Sequence, residues 1–592
     1  MGSIAVFLSA LHDAPVHVVE MMSAAAPHRG PHVETLVHGR CALSIRNTGD
    51  LRDASLGRVG DLAVAFVGSL DNASELSAGL ERDGARLADE PTLPELLAAC
   101  YRAHREAMPA RLRGVFAGVL TDGESLYAFR DHLGNRPLFY RVDHRGFYAA
   151  TEAKQVVAGA GISKEPDLEV VERIFYNDIT DEMPCALRGV RRLPKSTGIV
   201  VDRGGTHLRR YWQPELLLET AKLSADELQA RFNEVMDQAV TRCFTGPDAV
   251  SLSGGIDSPG VAAFAAPRHV ELTGRPLEAL SIVYPRFPSV DERRYIELVA
   301  GSLGMPLHTY EQEKKLTDDL VHWARLVDTP YRAASLAQYA EHYAQARSHG
   351  LQTILNGQHA EFVMAMEWFR LEHYLTRGRF RAAHRELSAR RAKGHSWIRL
   401  ARFTAGSLAP DVVMDARRAL SRRRRMPFPA WIDPKRANVS TSAMPWERWR
   451  SLQLAAIVGP GISLEAAEVC EAVSGVRTRK PWTDVDVFEL FLSLPAEQKY
   501  PELRSKGLAR RLLRGRVPAE ILDREDKTVY DEAALARIDH GALRALIQAP
   551  GHRIRGVDYR LLGERLSAGN LDMVEFGWAR NLANVHAFLS LW

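Results

Sequence analysis

Cysteine is scarce: five residues in 592, Cys41, Cys100, Cys185, Cys243 and Cys470. They are scattered, odd in number and never at metal-ligand spacing, which excludes a disulfide framework and a cysteine-built metal centre. A reducing cytoplasm is the expected compartment. Long apolar runs are missing as well. No stretch approaches the roughly 20 residues of a membrane span, and the first residues lack the basic region that opens a secretory signal. Val6 stands where a myristoylation signal requires Ser or Thr. Internal repeats and long low-complexity tracts are absent too, although Arg422 to Arg425 is an arginine run.

What is present is ordinary in bulk and uneven in detail. A hydrophobic fraction of 46% and a charged fraction of 25% over this length describe a globular protein of more than one domain. The net charge of +4 conceals a basic segment from Arg377 to Arg425, where fifteen Lys or Arg face three acids, Glu386, Asp411 and Asp415. The remainder is therefore near −8. Such a segment suits nucleic acid, an acidic peptide or a partner protein, and it equally suits a solvated helical face.

The most informative stretch is Ser253-Gly-Gly-Ile-Asp-Ser258. Ala249 to Leu252 before it reads as the end of a buried strand, and Val261 to Ala265 after it as a helix start. A strand, a glycine turn and a helix N-terminus make an anion site, since backbone N–H groups and the helix dipole converge there. No Gly-Lys-Ser/Thr follows, so it is not a Walker loop, and the glycine spacing is not that of a dinucleotide fingerprint.

Around this stretch the chain divides. Residues 1–213 read as β-rich, with short runs such as Leu62 to Val67 and Val115 to Leu120 between turn residues, and a helix from Thr92 to Met108 opened by a Thr92/Glu95 capping box. Pro214 to Leu223 reads as a linker. A Ser224/Glu227 capping box then opens a helix to about Cys243 with an apolar stripe at Leu228, Phe232, Val235, Met236 and Ala239. Leu277 to Tyr284 and Leu351 to Gly357 read as further strands, with a helix from Asp291 to Leu303 between them. Alternating strands and helices predict a parallel sheet with ligands beyond its carboxyl ends, where both Ser253–Ser258 and Asn356–Glu361 fall. Residues 362 to about 425, and most of the chain after Trp446, read as helical.

The loop resembles the Ser-Gly-Gly-x-Asp-Ser motif of enzymes that cleave ATP to AMP and pyrophosphate. Phe66-Val-Gly-Ser-Leu-Asp-Asn72, Gly114 to Ala117, Arg130 to Tyr140 and Ala150 to Lys154 resemble successive landmarks of the glutaminase domain of asparagine synthetases. Arg479-Lys-Pro-Trp-Thr-Asp484, the stretch from Lys506 and the stretch ending at Lys527 resemble the synthetase domain. The resemblance to the asparagine synthetase-like family spans nearly the whole chain. It implies an α/β protein, with an α+β sandwich of the class II glutamine amidotransferase type at 1–213 and a parallel-sheet ATP pyrophosphatase domain at 224–592 that carries a basic helical insertion at about 374–425.

The same resemblance implies the site. Ser253, Gly254, Gly255, Asp257, Ser258 and Gly357 would hold the phosphates of ATP, and backbone at Leu252 and Val283 its adenine. Asp257 would bind Mg²⁺, a hard cation suited to carboxylates and phosphates, and Glu361 takes the place of the second family ligand. His359 stands where the family has glycine. Lys506 and Lys527 match two late lysines that stabilise the anionic state of adenylation. Gln358 occupies the place of a family Glu or Tyr and cannot act as a base; His359, Glu367, Glu372 and His373 are the nearby candidates.

The family's glutaminase nucleophile is a cysteine following Met1, and here that residue is Gly2. No ammonia is expected from glutamine, so the amine must come with the substrate. Among family branches the resemblance is then greatest to lasso peptide cyclases. These adenylate an Asp or Glu side chain of a leaderless core peptide and join it to the N-terminal amine, with a leader peptidase and a leader-recognition protein as partners. Neither nucleic acid nor membrane is an expected partner. The alternatives are a small-molecule β-lactam synthetase, an ammonia-dependent asparagine synthetase, and a scaffold homologue without activity.

Overall fold

A computed structural model describes all residues except 12, 50–52, 179–180, 333–334, 365–367, 411–412, 414–427, 438–443, 455–460, 502–503, 526–527, 529 and 550. The N-terminal unit holds two six-stranded antiparallel sheets laid face to face. One runs Arg191–Arg192, Phe139–Asp143, Gly146–Ala150, Ser3–Ser9, Cys41–Asn47, His32–His38 in spatial order; the other runs Gly205–Arg210, Thr197–Asp202, Leu126–Arg130, Gly114–Thr121, Leu62–Leu70, Ala54–Val59. Period-two alternation explains the layers. Ile4, Val6 and Leu8 meet Ala65, Val67, Ala117 and Val119 between the sheets. The opposite faces are apolar too. Ala5 and Phe7 pack on the helices Val16–Ala24 and Ala153–Ala160, and Val64, Phe66 and Phe116 on Ala73–Arg82 and Leu93–His104. The result is an α+β sandwich of four layers. The predicted helix from Thr92 begins with its capping box intact but ends at His104, and Arg105–Arg111 continues as a 3₁₀ turn.

The second sheet system has five parallel strands in the order Leu307–Glu311, Glu278–Val283, Asp248–Ser251, Thr353–Asn356, Arg477–Arg479. The chain starts at Asp248–Ser251, lays its next two strands outward on one side of it and its last two on the other. The order therefore reverses at the central strand, and a crevice opens at that strand's carboxyl end. Sequence reading finds the three inner strands because helices cover both their faces and make them continuously apolar. It misses Leu307–Glu311 and Arg477–Arg479, edge strands that carry His308, Tyr310, Arg477 and Arg479 instead.

The Ser224/Glu227 capping box opens the helix Ala225–Thr241 as expected. The helix after the loop starts at Asp257, four residues ahead of the apolar run at Val261. Part of the basic segment forms the helices Phe380–Ala392 and Trp397–Leu408; its remainder falls largely outside the described residues. Among the described residues no helix is long and apolar enough to cross a membrane.

Buried and half-buried ion pairs join the two units. Arg29 and Arg136 both reach Glu468, and Arg192 bonds Glu465 at 2.8 Å. Arg477 bonds Asp53 at 2.6 Å, Arg479 bonds Asp71, and Arg113 bonds Asp486 at 2.9 Å. A cavity of about 90 Å³ remains among these groups, lined by Ser69, Arg477, Arg479 and Lys480.

Candidate functional site

The central strand ends at Ser251, and Leu252 continues its pairing by donating to Leu280 O at 3.0 Å while accepting from Ser281 Oγ at 2.9 Å. Its N–H is thus committed to the sheet. The chain then turns through Ser253, Gly254 and Gly255 into the helix Asp257–Thr273. Ser258 Oγ accepts the Ser253 N–H at 2.9 Å and shares a hydrogen bond with Ser253 Oγ at 2.9 Å, so two hydroxyls hold the loop against the helix start.

The two glycines serve differently. A Cβ on Gly254 would meet Glu292 Cβ at 2.8 Å and Tyr295 Cβ at 3.0 Å, whereas one on Gly255 would meet only Ser253 Oγ, at 3.7 Å. Gly254 is the packed side of the loop and Gly255 its open side. No side chain among the described residues caps the helix. Among the described residues the N–H groups of Gly255, Ile256, Asp257 and Ser258 find no acceptor. Those donors and the dipole of a 17-residue helix favour an anion at this point.

Asn356 ends its strand directly beside Ser251. Gly357 then passes so close to the loop that a Cβ would lie 2.5 Å from Ser258 N and 2.6 Å from the Asp257 carbonyl carbon. Any larger residue would push the two strand ends apart. His359 has a left-handed backbone, at φ +68°, a conformation that costs a non-glycine residue about 1–2 kcal/mol. Its imidazole is pushed down to about 3 by burial, with Lys480 and Lys195 adding to the shift. A ring with so little proton affinity makes a poor general base.

Lys506 arrives from 249 residues away and places its ammonium on both oxygens of Asp257. It too sits at positive φ, +58°. Trp482 Nε1 donates to the Asp257 carbonyl at 3.0 Å and braces the same residue from behind. The structure therefore brings Leu252, Ser253, Gly254, Gly255, Asp257, Ser258, Gly357 and Lys506 to one place, with Val283 at the end of the neighbouring strand. Glu361 stands exposed in the first turn of the short helix Ala360–Met364, making no hydrogen bond or ion pair among the described residues. Lys527 and Glu367 lie outside the described residues. His373 is committed elsewhere, bonded to Glu219 at 3.1 Å and stacked on Trp449. Glu372 is buried in the same helical unit, which raises its carboxyl.

Sequence reading misses Glu292 and Arg524, which bond Gly254, and Tyr530, which bonds Glu292. No local pattern marks them, because their partners are distant in the chain.

The N-terminal unit has no matching chemistry. A Cβ at Gly2 would meet Ala54 Cβ at 2.8 Å and Arg46 O at 2.9 Å. All five cysteines are buried and free. Cys41 lies in the sheet opposite Leu8, and burial pushes its thiol up to about 12, far from a neutral-pH thiolate.

Comparison with known proteins agrees with both halves. The family profile described as "Asparagine synthase" matches residues 231–558, more than half of the chain, and the profile described as "Glutamine amidotransferase domain" matches residues 1–212. The glutamine-hydrolyzing asparagine synthetase 3 of Bacillus subtilis (strain 168) is 24% identical over 489 residues, covering 78% of this chain and 74% of that protein. The carboxyethyl-arginine beta-lactam-synthase of Streptomyces clavuligerus is 33% identical over 158 residues, 26% of this chain and 28% of that one. Among solved structures, a glutamine phosphoribosylpyrophosphate amidotransferase from B. subtilis covers 60% of this chain and 91% of its own, at 13% identity and a TM-score of 0.28. That last likeness is too weak to bear on architecture or function. The parallel sheet, the anion loop at its reversal point and the matched profile on the same residues make this chain a member of the asparagine synthase family, whose members are ATP-dependent amide-forming ligases.

Proposed function

We propose that this protein is a lasso peptide cyclase, which adenylates an Asp or Glu side chain of a leaderless core peptide and closes a macrolactam with the peptide's own N-terminal amine. The observation that carries the reading is the filled space at Gly2 set against the open loop at Gly255. One unit offers no route to ammonia, while the other keeps an anion cradle, so the attacking amine belongs to the substrate. The substrate carboxylate attacks the α-phosphorus of ATP and pyrophosphate leaves. The amine then attacks the acyl-adenylate, AMP leaves, and the amine gives up its proton. The loop N–H groups hold the departing phosphates, and Lys506 and Lys527 offset the charge that builds on the transferring group.

The residues fit a divalent cation. The Asp257 carboxylate already faces a cation, the Lys506 ammonium, and Glu361 is an exposed oxygen donor on the adjacent turn. Asp257 and Glu361 would hold Mg²⁺, which supplies charge neutralisation between the phosphates when bound. The segment from Trp368 through the helix Trp397–Leu408 supports a large substrate. Trp368, Phe380, Trp397 and Phe403 are exposed there among arginines, a surface suited to an acidic or aromatic peptide. A leader peptidase and a leader-recognition protein are the partners such a cyclase requires.

A second reading, a small-molecule lactam synthetase, is favoured by the similarity to the S. clavuligerus enzyme. The test is to incubate the purified chain and Mg²⁺-ATP with a short precursor peptide encoded beside its gene, freed of its leader. Release of AMP and pyrophosphate with loss of one water from the peptide supports the cyclase. Asparagine formed from aspartate and ammonia removes it, and turnover of small amino acids alone favours the second reading.

A further inference from the structure

Glu292 precedes the helix Arg293–Ser302 and is only 7% exposed, although it bears a charge beside an anion cradle. Both its oxygens are engaged. Oε2 accepts the Gly254 N–H at 3.0 Å and the Tyr530 hydroxyl at 2.8 Å, and Oε1 accepts Arg524 Nη1 at 2.8 Å. The same Arg524 nitrogen donates to Gly254 O at 2.9 Å. Arg524 also reaches Thr528 Oγ1 through Nη2 and lies 4.3 Å over the Tyr295 ring. One buried ion pair therefore grips both backbone groups of Gly254.

A carboxylate has no place touching a triphosphate, because like charges at short range repel strongly where water is scarce. Glu292 avoids that conflict by sitting on the far side of the loop, where Arg524 neutralises it. It takes the Gly254 N–H, as Ser258 Oγ takes that of Ser253, and leaves those from Gly255 onward without an acceptor among the described residues. It also forces glycine at 254, since its Cβ fills the space a side chain would need. Lys527 lies, in sequence, midway between the two residues that Glu292 anchors.

We propose that Glu292 is a positioning residue of the phosphate loop, which orients Gly254 and fastens Arg524, Thr528 and Tyr530 to the back of the cradle. The ATP arm of this proposal rests on the ligase reading; the clamp itself does not. The clamp predicts a local effect where a mere fold-stabilising ion pair predicts a global one.

The experiment uses the full-length chain. Amide hydrogen exchange is followed by mass spectrometry without nucleotide over the loop and over the peptide containing 524–530, and Mg²⁺-ATP binding is measured by calorimetry. Losing a charge-assisted hydrogen bond of this kind is worth about tenfold or more. Glu292→Gln is therefore expected to speed exchange in those two segments by about tenfold, leave the rest of the chain unchanged, and weaken Mg²⁺-ATP binding by about tenfold. Tyr530→Phe is expected to speed exchange in the 524–530 peptide alone, with ATP affinity within about twofold of the parent. Exchange within about twofold of the parent in both segments, or acceleration spread over the whole chain, would overturn the proposal. If Glu292→Gln does not fold, Tyr530→Phe decides by the same criterion. A parent chain that binds no ATP would overturn the ligase reading, while the exchange result still decides the clamp.

Discussion

Two glycines, one in each unit, mark opposite fates for a site. At Gly2 the space of a side chain is taken by Ala54 and by the Arg46 carbonyl; at Gly255 it opens onto free N–H donors at an uncapped helix. Glycine by itself says neither open nor closed. What decides is whether the neighbouring chain has moved into the volume, and in the N-terminal unit Ala54 of the second sheet and Arg46 of the adjoining strand in the first have done so. That unit is left as a packed four-layer body tied by ion pairs to the ligase unit.

The largest expected effect bears on the open side. Asp257→Ala should reduce AMP and pyrophosphate formation by about 10³-fold, since it removes the carboxylate that would hold Mg²⁺ and that seats the Lys506 ammonium; Lys527→Ala should behave alike, since it removes a cation that offsets the developing charge. Near-normal turnover in either variant, with unchanged circular dichroism, would remove that residue from the mechanism.

Next comes the joint between the units. Glu468 holds both Arg29 and Arg136, and all three side chains are at most 6% exposed. Glu468→Ala leaves two buried guanidinium groups without this partner and should cost about 3–5 kcal/mol. Urea unfolding followed by tryptophan fluorescence measures this. A loss below about 1 kcal/mol would mean that the joint is held by apolar packing instead.

Gly2→Cys attacks the comparison directly. The added side chain should overpack the Ala54 contact at a cost of about 1–3 kcal/mol, and glutamine should yield no glutamate. Glutamate release would show the space at Gly2 to be reclaimable and would break the contrast.

The smallest effect is a pH slope. His132 is buried between Tyr211 and Trp212, neither ring nitrogen has a hydrogen-bond partner among the described residues, and burial pushes it down to about 3. An unfolded histidine takes a proton near pH 6.5, so between about 6.5 and 3 the unfolded chain binds more protons and stability falls as pH falls. The same sign holds for His359, lowered to about 3, and for His342 and His586, each lowered to about 4. His132→Phe should take up about one proton fewer on unfolding at pH 5. An unchanged slope of urea midpoint against pH between 5 and 6.5 would contradict the burial argument.

Much of the architecture was legible because its signals are local. The capping boxes at Thr92 and Ser224 form as their spacing requires, the inner strands follow their apolar runs, and the loop lies where a strand meets a helix. The edge strands were not legible, since a half-exposed strand ending in Arg479 looks like a loop. Nor was the left-handed backbone of His359, two residues beyond the close approach of Gly357 to Asp257.

The sequence by itself determined the anion loop, the absence of a nucleophile at Gly2 and the sheet that carries the site. These follow from residue type and from periodicities spanning a few residues. Only the tertiary structure decided that Lys506 rests on Asp257, that Glu292 and Arg524 grip Gly254, and that Ala54 and Arg46 close the space at Gly2. Each of those contacts joins segments far apart in the chain, and short-range patterns carry no information about which distant surfaces meet.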